Sequence, residues 1–500
     1  MPLAPRADLV PNTFEFETTA LVKPTGFREY DARWILDKEI NLLGLQALGL
    51  GLATFAHEIG VEPRIVVGHD FRSYSLSVKQ ALTLGLIAGG MEVLDIGLCL
   101  SPTAYYAQFD LDAACVAMVT ASHNENGWTG VKMGSQRPLT FGPVEMTRLK
   151  EIVLSGQGIE REGGRLERVE GIRERYLADI TSRVQIKRKL RVIAACGNGT
   201  AGAFAPQALE AMGVEVIPMD THLDYTFPKY NPNPEDHEML MSMAEAVRRE
   251  GADLALGFDG DGDRCGVVDD LGEEIFADKI GLMLARDLSA QYKNATFIVD
   301  VKSTGLYATD PILEANGATT VYWKTGHSYI KRKTAELGAL AGFEKSGHFF
   351  FNAPLGRGYD DGIVAASAIL AMMDRNPDKK LSELKMALPP AFTSLTMSPH
   401  CADEAKYATV DAIVKEYQDL AASGGTILGR KIKEVITVNG VRVALDDGSW
   451  VLVRASSNKP EMVVVVESMR SEADMRALFR EEVKPRLAKH PEVGAYNQEI

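Results

Sequence analysis

Arg64-Ile65-Val66-Val67-Gly68-His69-Asp70 opens on a β-branched run and closes on a Gly-His-Asp turn. Residues 75–90 follow with a helical pattern that ends at Gly89-Gly90, and residues 91–96 return to an apolar β-run. Strand, helix and strand at this spacing make a βαβ unit with parallel strands. The same order recurs over 190–196, 201–212 and 214–220, and again over 295–301, 306–316 and 318–323. Copies separated by about a hundred residues predict three similar α/β domains in tandem, not one long sheet. The polar stretches 156–170 and 373–384 read as boundary regions. Toward the C-terminus the pattern changes. Residues 433–468 read as short strands joined by hairpin turns at Asn439-Gly440 and Asp447-Gly448. A helix follows, with Ser471 as N-cap and Asp474 three residues on. This predicts a separate α+β domain with an antiparallel sheet.

Composition narrows the function classes. A chain of 500 residues holds about three domains' worth of sequence. With 46% hydrophobic and 24% charged residues it is neither disordered nor fibrous nor a polytopic membrane protein. A net charge of −14 argues against a nucleic-acid binder, which needs a basic surface, but allows a small anion to bind where basic residues converge. The five cysteines are scattered and lack C-x-x-C spacing, so neither a disulfide framework nor a zinc site is expected, and a reducing cytoplasmic location fits. Residues 1–19 lack the pattern of a signal peptide. The most apolar window, 40–56, is short and broken by Asn41 and Gln46, and reads as a buried helix and not a membrane span.

Chemistry concentrates in a few segments. In Gly257-Phe258-Asp259-Gly260-Asp261-Gly262-Asp263-Arg264 three aspartates alternate with glycines between two apolar runs. Carboxylates so close repel unless a divalent cation sits among them, and the glycines let alternate side chains converge. An EF-hand fails at its sixth and twelfth positions, which are Arg264 and Asp270, and the flanks are strand-like. Mg²⁺ is favoured, because monodentate carboxylates leave room for a phosphate oxygen. A solvated acidic turn is the plainer alternative. Thr120-Ala121-Ser122-His123-Asn124 follows an apolar run, placing Ser122 at a strand's C-terminal end, where α/β folds bind ligands; an ordinary turn is the alternative. A serine hydrolase is disfavoured, since no G-x-S-x-G elbow is present and an adjacent His is not expected to face its neighbour's hydroxyl. Glu344-Lys345-Ser346-Gly347-His348 suits sugar hydroxyls or a solvent loop, and Arg454-Ala455-Ser456-Ser457-Asn458-Lys459-Pro460 suits a phosphate or a polar hairpin. Gly197-Asn198-Gly199-Thr200-Ala201-Gly202 matches a dinucleotide fingerprint, with Asp220 near the position of a ribose-binding acid. The equivalent turns of the other two copies lack it, which favours a packing role.

Taken together, Ser122-His123-Asn124, the aspartate loop, 344–348 and 454–460 occur in the order and spacing of the α-D-phosphohexomutase superfamily. The chain resembles a phosphomannomutase/phosphoglucomutase over essentially its whole length, including residues 27–33, Lys132 and 325–328. The resemblance implies three tandem α/β domains with mixed sheets (1–168, 169–276, 277–387) and a C-terminal α+β domain (388–500), arranged around a central cleft. It implies a phosphohexomutase that interconverts hexose 1-phosphate and hexose 6-phosphate of mannose or glucose through a phosphoserine and a 1,6-bisphosphate. Ser122 would carry the phosphoryl group, and Asp259, Asp261 and Asp263 would hold Mg²⁺ against it. Arg33, His123, Lys132, Arg264 and Lys302 would surround the transferring group, with His348, then Arg33, as general acid/base. Glu344 and Ser346 would read sugar hydroxyls, Tyr30 and His327 would contact substrate, and Arg454, Ser456, Ser457, Asn458 and Lys459 would grip the distal phosphate. Phe343 stands where many relatives have Gly, and Ser457-Asn458-Lys459 where Asn-Thr is common. A phosphoglucosamine mutase is the alternative within this chemistry, and an NAD-binding dehydrogenase lies outside it. The expected partner is a small phosphosugar, without nucleic acid or membrane, acting on a monomer or homodimer.

Overall fold

Each predicted βαβ unit forms, and each sits in a sheet built to one plan. The computed structural model describes residues 10–456 and 459–500. In the first sheet, Arg64–His69 lies parallel between Glu92–Leu98 and Cys115–Val119. In the second, Arg191–Ala195 lies parallel between Glu215–Met219 and Leu254–Phe258. In the third, Thr296–Asp300 lies parallel between Thr319–Trp323 and Ala341–Phe343. The βαβ crossover carries the chain to one side of the middle strand, and the next strand is laid on the other side. The strand order therefore reverses at the middle strand, and the loops leaving the carboxyl ends there open a crevice. In all three copies the loop after the strand on the far side carries one of the singled-out motifs: 120–124, 259–264 and 344–348. The first two sheets are mixed, because Cys115–Val119 pairs antiparallel with Trp128–Gly134, and Leu254–Phe258 with Cys265–Asp269.

Local chemistry explains where elements depart from expectation. The pattern over 306–316 is a 3-10 turn, Gly305–Ala308, and a short helix, Pro311–Ala315. Asp310 caps that helix by accepting from Ile312 and Leu313, and Pro311, lacking an N–H, cannot continue an incoming helix. The apolar window becomes the helix Leu42–Glu58, capped by Asn41, whose Oδ1 accepts from Gly44 N at 2.9 Å. A Cβ at Gly49 would stand 2.1 Å from Leu82 O, so this helix and Ser75–Ala88 pack with backbones in contact. Within the boundary stretch 156–170, Arg165–Arg168 adds an exposed, charged edge strand parallel to Glu92–Leu98.

The C-terminal sheet is antiparallel, with Arg430–Ile436, Val441–Leu445, Trp450–Ala455 and Met462–Ser468 as its main strands. Gly440 and Gly448 turn its hairpins with φ of +70° and +87°, and Ser471 caps the following helix by accepting from Asp474 N at 3.1 Å. Alternation along the strands buries both faces. Val451, Val453, Val464 and Val466 pack with Ile413 and Tyr417 of the helix Lys406–Ala422, while Trp450, Leu452, Val463 and Val465 pack with Val301 and Tyr322.

The chain forms two compact units. One runs to Ala277 and resumes over Ser346–Ser382; the other comprises Asp278–Lys345 and Glu383–Ile500. In the second unit, Arg442 lies between the rings of Tyr322 and Trp450, 4.1 and 3.9 Å from their centroids. It donates to Val301 O (2.6 Å) and Ser303 O (2.7 Å), on either side of Lys302. Buried Glu467 accepts from Thr304 Oγ1, Gly305 N and Trp450 Nε1 at 2.7–2.9 Å. All five cysteines are buried and unpaired. No helix among the described residues is long and apolar enough to cross a membrane.

Candidate active site

Ser122 is held in a left-handed conformation, φ +53°, which costs an unbranched L-residue about 1–2 kcal/mol. That turn reverses the chain after Cys115–Val119 and brings buried Ser122 Oγ to 3.0 Å from Asp259 Oδ2 of the second sheet's loop. It also brings Oγ to 3.2 Å from His123 Nδ1. The expectation that adjacent Ser and His cannot face each other is thus corrected: it assumed an extended backbone, and the positive φ removes that restriction. Gly260 makes the approach of the two loops possible, since a Cβ there would stand 2.5 Å from Ser122 O.

The aspartate loop is the hairpin between Leu254–Phe258 and Cys265–Asp269, as its strand-like flanks predicted. Asp259, Asp261 and Asp263 are fully buried, and each presents a carboxylate oxygen within 4.8 Å of the others. Lys132 Nζ donates to Asp261 Oδ2 at 2.7 Å and also to Asp263 Oδ2, and Ser101 Oγ donates to Asp261 at 2.5 Å. Asp261 Oδ1 and Asp263 Oδ1 are buried without a hydrogen-bond partner. Burial, then the charges of Asp261 and Asp263, push the Asp259 carboxyl up to about 8. Burial would raise Asp261 too, but Lys132's charge and its hydrogen bond, with that from Ser101, hold it below the usual range. Orphaned oxygens and an unrelieved excess of carboxylates fit a hard divalent cation.

Cationic and imidazole groups surround this pair of loops. Arg33, on the strand Ala32–Ile35, bonds Asp31 at 2.9 Å and Asn124 Oδ1 at 2.5 Å, and Tyr30 interacts with it electrostatically. Arg264 donates through its backbone to Asp259 Oδ1 (3.2 Å), through Nε to His348 Nε2 (3.0 Å) and through Nη1 to Glu235 (3.1 Å). The Arg264 charge, then burial, then Arg33 hold His123 well below the ordinary histidine pKa, so it serves as a neutral group. His348 differs. Burial opposes its charge, but Asp263 and Asp360, whose Oδ2 lies 3.1 Å from Nδ1, leave its pKa raised. Ser346 is half-buried beside it in sequence. A second group, Asp263, His348 and Asp360, also brings three ligand-type atoms within 4.8 Å.

In the other unit, three loops meet at Asp300, at the carboxyl ends of the third sheet's strands. Its Oδ1 accepts from Ser303 Oγ (2.6 Å) and Lys345 N (3.4 Å), and its Oδ2 from Thr325 Oγ1 (3.2 Å). Buried Glu344 accepts from Gly326 N at 2.7 Å, at the start of the helix His327–Glu336. Lys302, His327 and Glu344 thus share one rim. Arg454 lies next to the end of the strand Trp450–Ala455, and Lys459 N donates to Ser456 Oγ at 3.3 Å. Ser457 and Asn458 lie outside the described residues.

Sequence reasoning missed Ser101, Glu235 and Asp360, because a single serine or carboxylate on an unremarkable helix or loop carries no local signal. The Gly197–Gly202 segment opens a 3-10 turn, Thr200–Ala203, and a Cβ at Gly202 would stand 2.0 Å from Thr221 O. Asp220 is taken by Lys229 (2.5 Å) and Tyr230 (2.6 Å), which removes it as a ribose acceptor. These glycines serve packing.

Four family profiles match between residues 24 and 484: "Phosphoglucomutase/phosphomannomutase, alpha/beta/alpha domain I" over residues 24–158, domain II over 174–272, domain III over 276–392 and the C-terminal domain over 400–484. The chain is similar to a phosphomannomutase/phosphoglucomutase of Pseudomonas putida, with 34% identity over 90% of this chain and 92% of that protein. It is 31% identical to a phosphoglucomutase of Neisseria gonorrhoeae, over 90% and 93%. A crystal structure of a phosphoglucomutase/phosphomannomutase family protein from Burkholderia thailandensis matches with TM-score 0.84 at 26% identity, covering 95% of this chain and 99% of that one.

Proposed function

The chain belongs to the phosphoglucomutase/phosphomannomutase family, and on that premise we propose that it interconverts hexose 1-phosphate and hexose 6-phosphate, of mannose or glucose, through a phosphoserine at Ser122. The observation that carries this reading is the buried contact of Ser122 Oγ with Asp259, beside two carboxylates with orphaned oxygens. Asp259, Asp261 and Asp263, with a phosphoserine oxygen, are the ligands for Mg²⁺, which when bound supplies charge neutralisation at the transferring phosphoryl group.

The protein's own groups do the rest. The phosphoryl group leaves Ser122 Oγ for the free hydroxyl of the bound hexose phosphate. The P–O bond to serine breaks, the bond to the sugar oxygen forms, the sugar's proton leaves for a base, and the freed Ser122 Oγ takes up a proton in its place. The resulting hexose 1,6-bisphosphate reorients, and its other phosphoryl group returns to Ser122; the same bisphosphate primes an unphosphorylated enzyme. Arg33 and Arg264 face the loop with fixed positive charge, Lys132 balances the carboxylates, and neutral His123 offers a donor. His348, oriented by Asp360 at Nδ1 and by Arg264 at Nε2, is the base that takes the hydroxyl proton. Glu344 and Ser346 read the sugar, Tyr30, His327 and Lys302 contact the substrate, and Arg454, Ser456, Ser457, Asn458 and Lys459 hold the non-reacting phosphate. Domain limits at 168, 276 and 387 place one motif in each domain. Cytoplasmic residence and a monomer or homodimer complete the proposal; phosphoglucosamine mutase remains the alternative that a panel of sugar 1-phosphates separates.

The test is intact-mass spectrometry with activity. Purified protein given hexose 1,6-bisphosphate and Mg²⁺ gains about 80 Da on a serine and converts mannose 1-phosphate or glucose 1-phosphate to the 6-phosphate. Ser122→Ala stays folded and loses both. An alanine variant with full turnover refutes the phosphoserine.

A further inference from the structure

We propose that the buried pair Asp70–Arg72, which no role above uses, is the positioning device that holds Ser122 in its strained, reactive conformation; this rests on the phosphoserine reading. The two residues sit where the strand Arg64–His69 ends, in the turn that lacks any glycine signature. Asp70 is 1% exposed and Arg72 5%. Arg72 Nη1 donates to Asp70 Oδ2, and Arg72 Nη2 donates to both Ser122 O (3.0 Å) and Asn124 O (2.6 Å). The same Asp70 oxygen accepts from Thr120 Oγ1 at 2.8 Å, and Thr120 Oγ1 in turn accepts from Ser122 N at 2.9 Å. Ser75 Oγ locks the other Asp70 oxygen at 2.5 Å.

Both backbone polar groups of Ser122 are therefore fixed from one source. Its N–H reaches Asp70 through the Thr120 hydroxyl, and its C=O is held by Arg72. Pinning these groups restrains the rotations that a left-handed residue tends to escape, and φ sets where Oγ points. The planar guanidinium meets Asp70 and two carbonyls of one loop together; an ammonium is a point charge without that fork. A mutase with a phosphoserine must present and recover its phosphoryl group from one point in both halves of the cycle, so a fixed Oγ matters in every turnover.

The experiment compares wild type, Arg72→Lys and Thr120→Val. Lysine keeps the charge beside Asp70 but loses the fork, and valine keeps the shape of Thr120 but cuts the link to Ser122 N. Folding is checked by circular dichroism and thermal melting. Uptake of phosphoryl from glucose 1,6-bisphosphate is followed by intact mass under single-turnover conditions, kcat and KM are measured for glucose 1-phosphate, and the phosphoserine is observed by ³¹P NMR. Each folded variant takes up phosphoryl about 10- to 100-fold more slowly, loses kcat in parallel with KM within about twofold, and shows a shifted or broadened phosphoserine resonance. Wild-type uptake matched by every variant that folds, however much its melting point falls, overturns the proposal and leaves a merely structural ion pair. If Arg72→Lys fails to fold, Thr120→Val decides. No uptake by the wild type overturns the phosphoserine reading itself, and this proposal with it.

Discussion

Gly260→Ala tests whether the reacting pair is set by the close approach of two loops. The alanine Cβ would meet Ser122 O at 2.5 Å, roughly 0.9 Å inside the 3.4 Å at which ordinary contact begins. Backbone conformation does not forbid the residue, since Gly260 is not among the positive-φ glycines. The Ser122 carbonyl cannot easily yield, because Arg72 Nη2 holds it at 3.0 Å. The aspartate loop has to retreat, and the 3.0 Å contact of Ser122 Oγ with Asp259 opens with it. A displacement approaching 1 Å in a phosphoryl-transfer site lowers kcat by about 100-fold, close to 2.7 kcal/mol in the barrier. Overpacking also lowers stability by about 1–3 kcal/mol. The assay couples glucose 6-phosphate formation to a dehydrogenase at saturating Mg²⁺, with urea unfolding in parallel. A folded Gly260→Ala protein with wild-type kcat would show that the loops' spacing does not govern transfer.

Two further predictions follow from the charges. With Asp259 pushed up to about 8, the free protein carries a proton there at pH 7, and Mg²⁺ binding must release it. Affinity should rise about tenfold per pH unit below that value and level off above it; calorimetry in two buffers of different ionisation enthalpy reads the released proton, and a pH-independent affinity from pH 6 to 8 contradicts the prediction. Burial would raise Glu467, but Lys279 and the bonds from Thr393 and Gly305 hold it at about 2 against an ordinary 4.5. Its folded pKa lies below the unfolded one, so the carboxylate stabilises the protein above about pH 4.5 and that contribution fades as pH falls toward 2. Glu467→Gln should cost about 2–3 kcal/mol at pH 7 and progressively less in acid, which a series of urea melts from pH 7 to 3 checks.

Much of this architecture was legible in the chain because period and punctuation are local. The βαβ units, the buried helix of the apolar window 40–56, the hairpins at Gly440 and Gly448 and the cap at Ser471 all follow from neighbours a few residues apart, whereas the cap that Asn41 gives that helix reads only as a polar break. The break at Asp310-Pro311 was equally local and was overlooked in favour of the wider helical pattern. Strand order was not legible. Nothing in residues 115–119, 254–258 and 341–343 reveals that they occupy the same place in three sheets, so the equivalence of the three motif loops emerges only in three dimensions. The same limit hid Ser101 from Asp261, 160 residues apart, and Arg72 from Ser122, 50 apart.

The placement of Arg442 bears on how such a chain can change over generations. Its flat cation, slotted between one ring from the third sheet and one from the C-terminal sheet, holds the carbonyls of Val301 and Ser303, the residues on either side of Lys302. A foreign C-terminal segment without that cation would leave those two carbonyls and the face of the Tyr322 ring without it, so a graft of this portion has to bring a matching arginine with it.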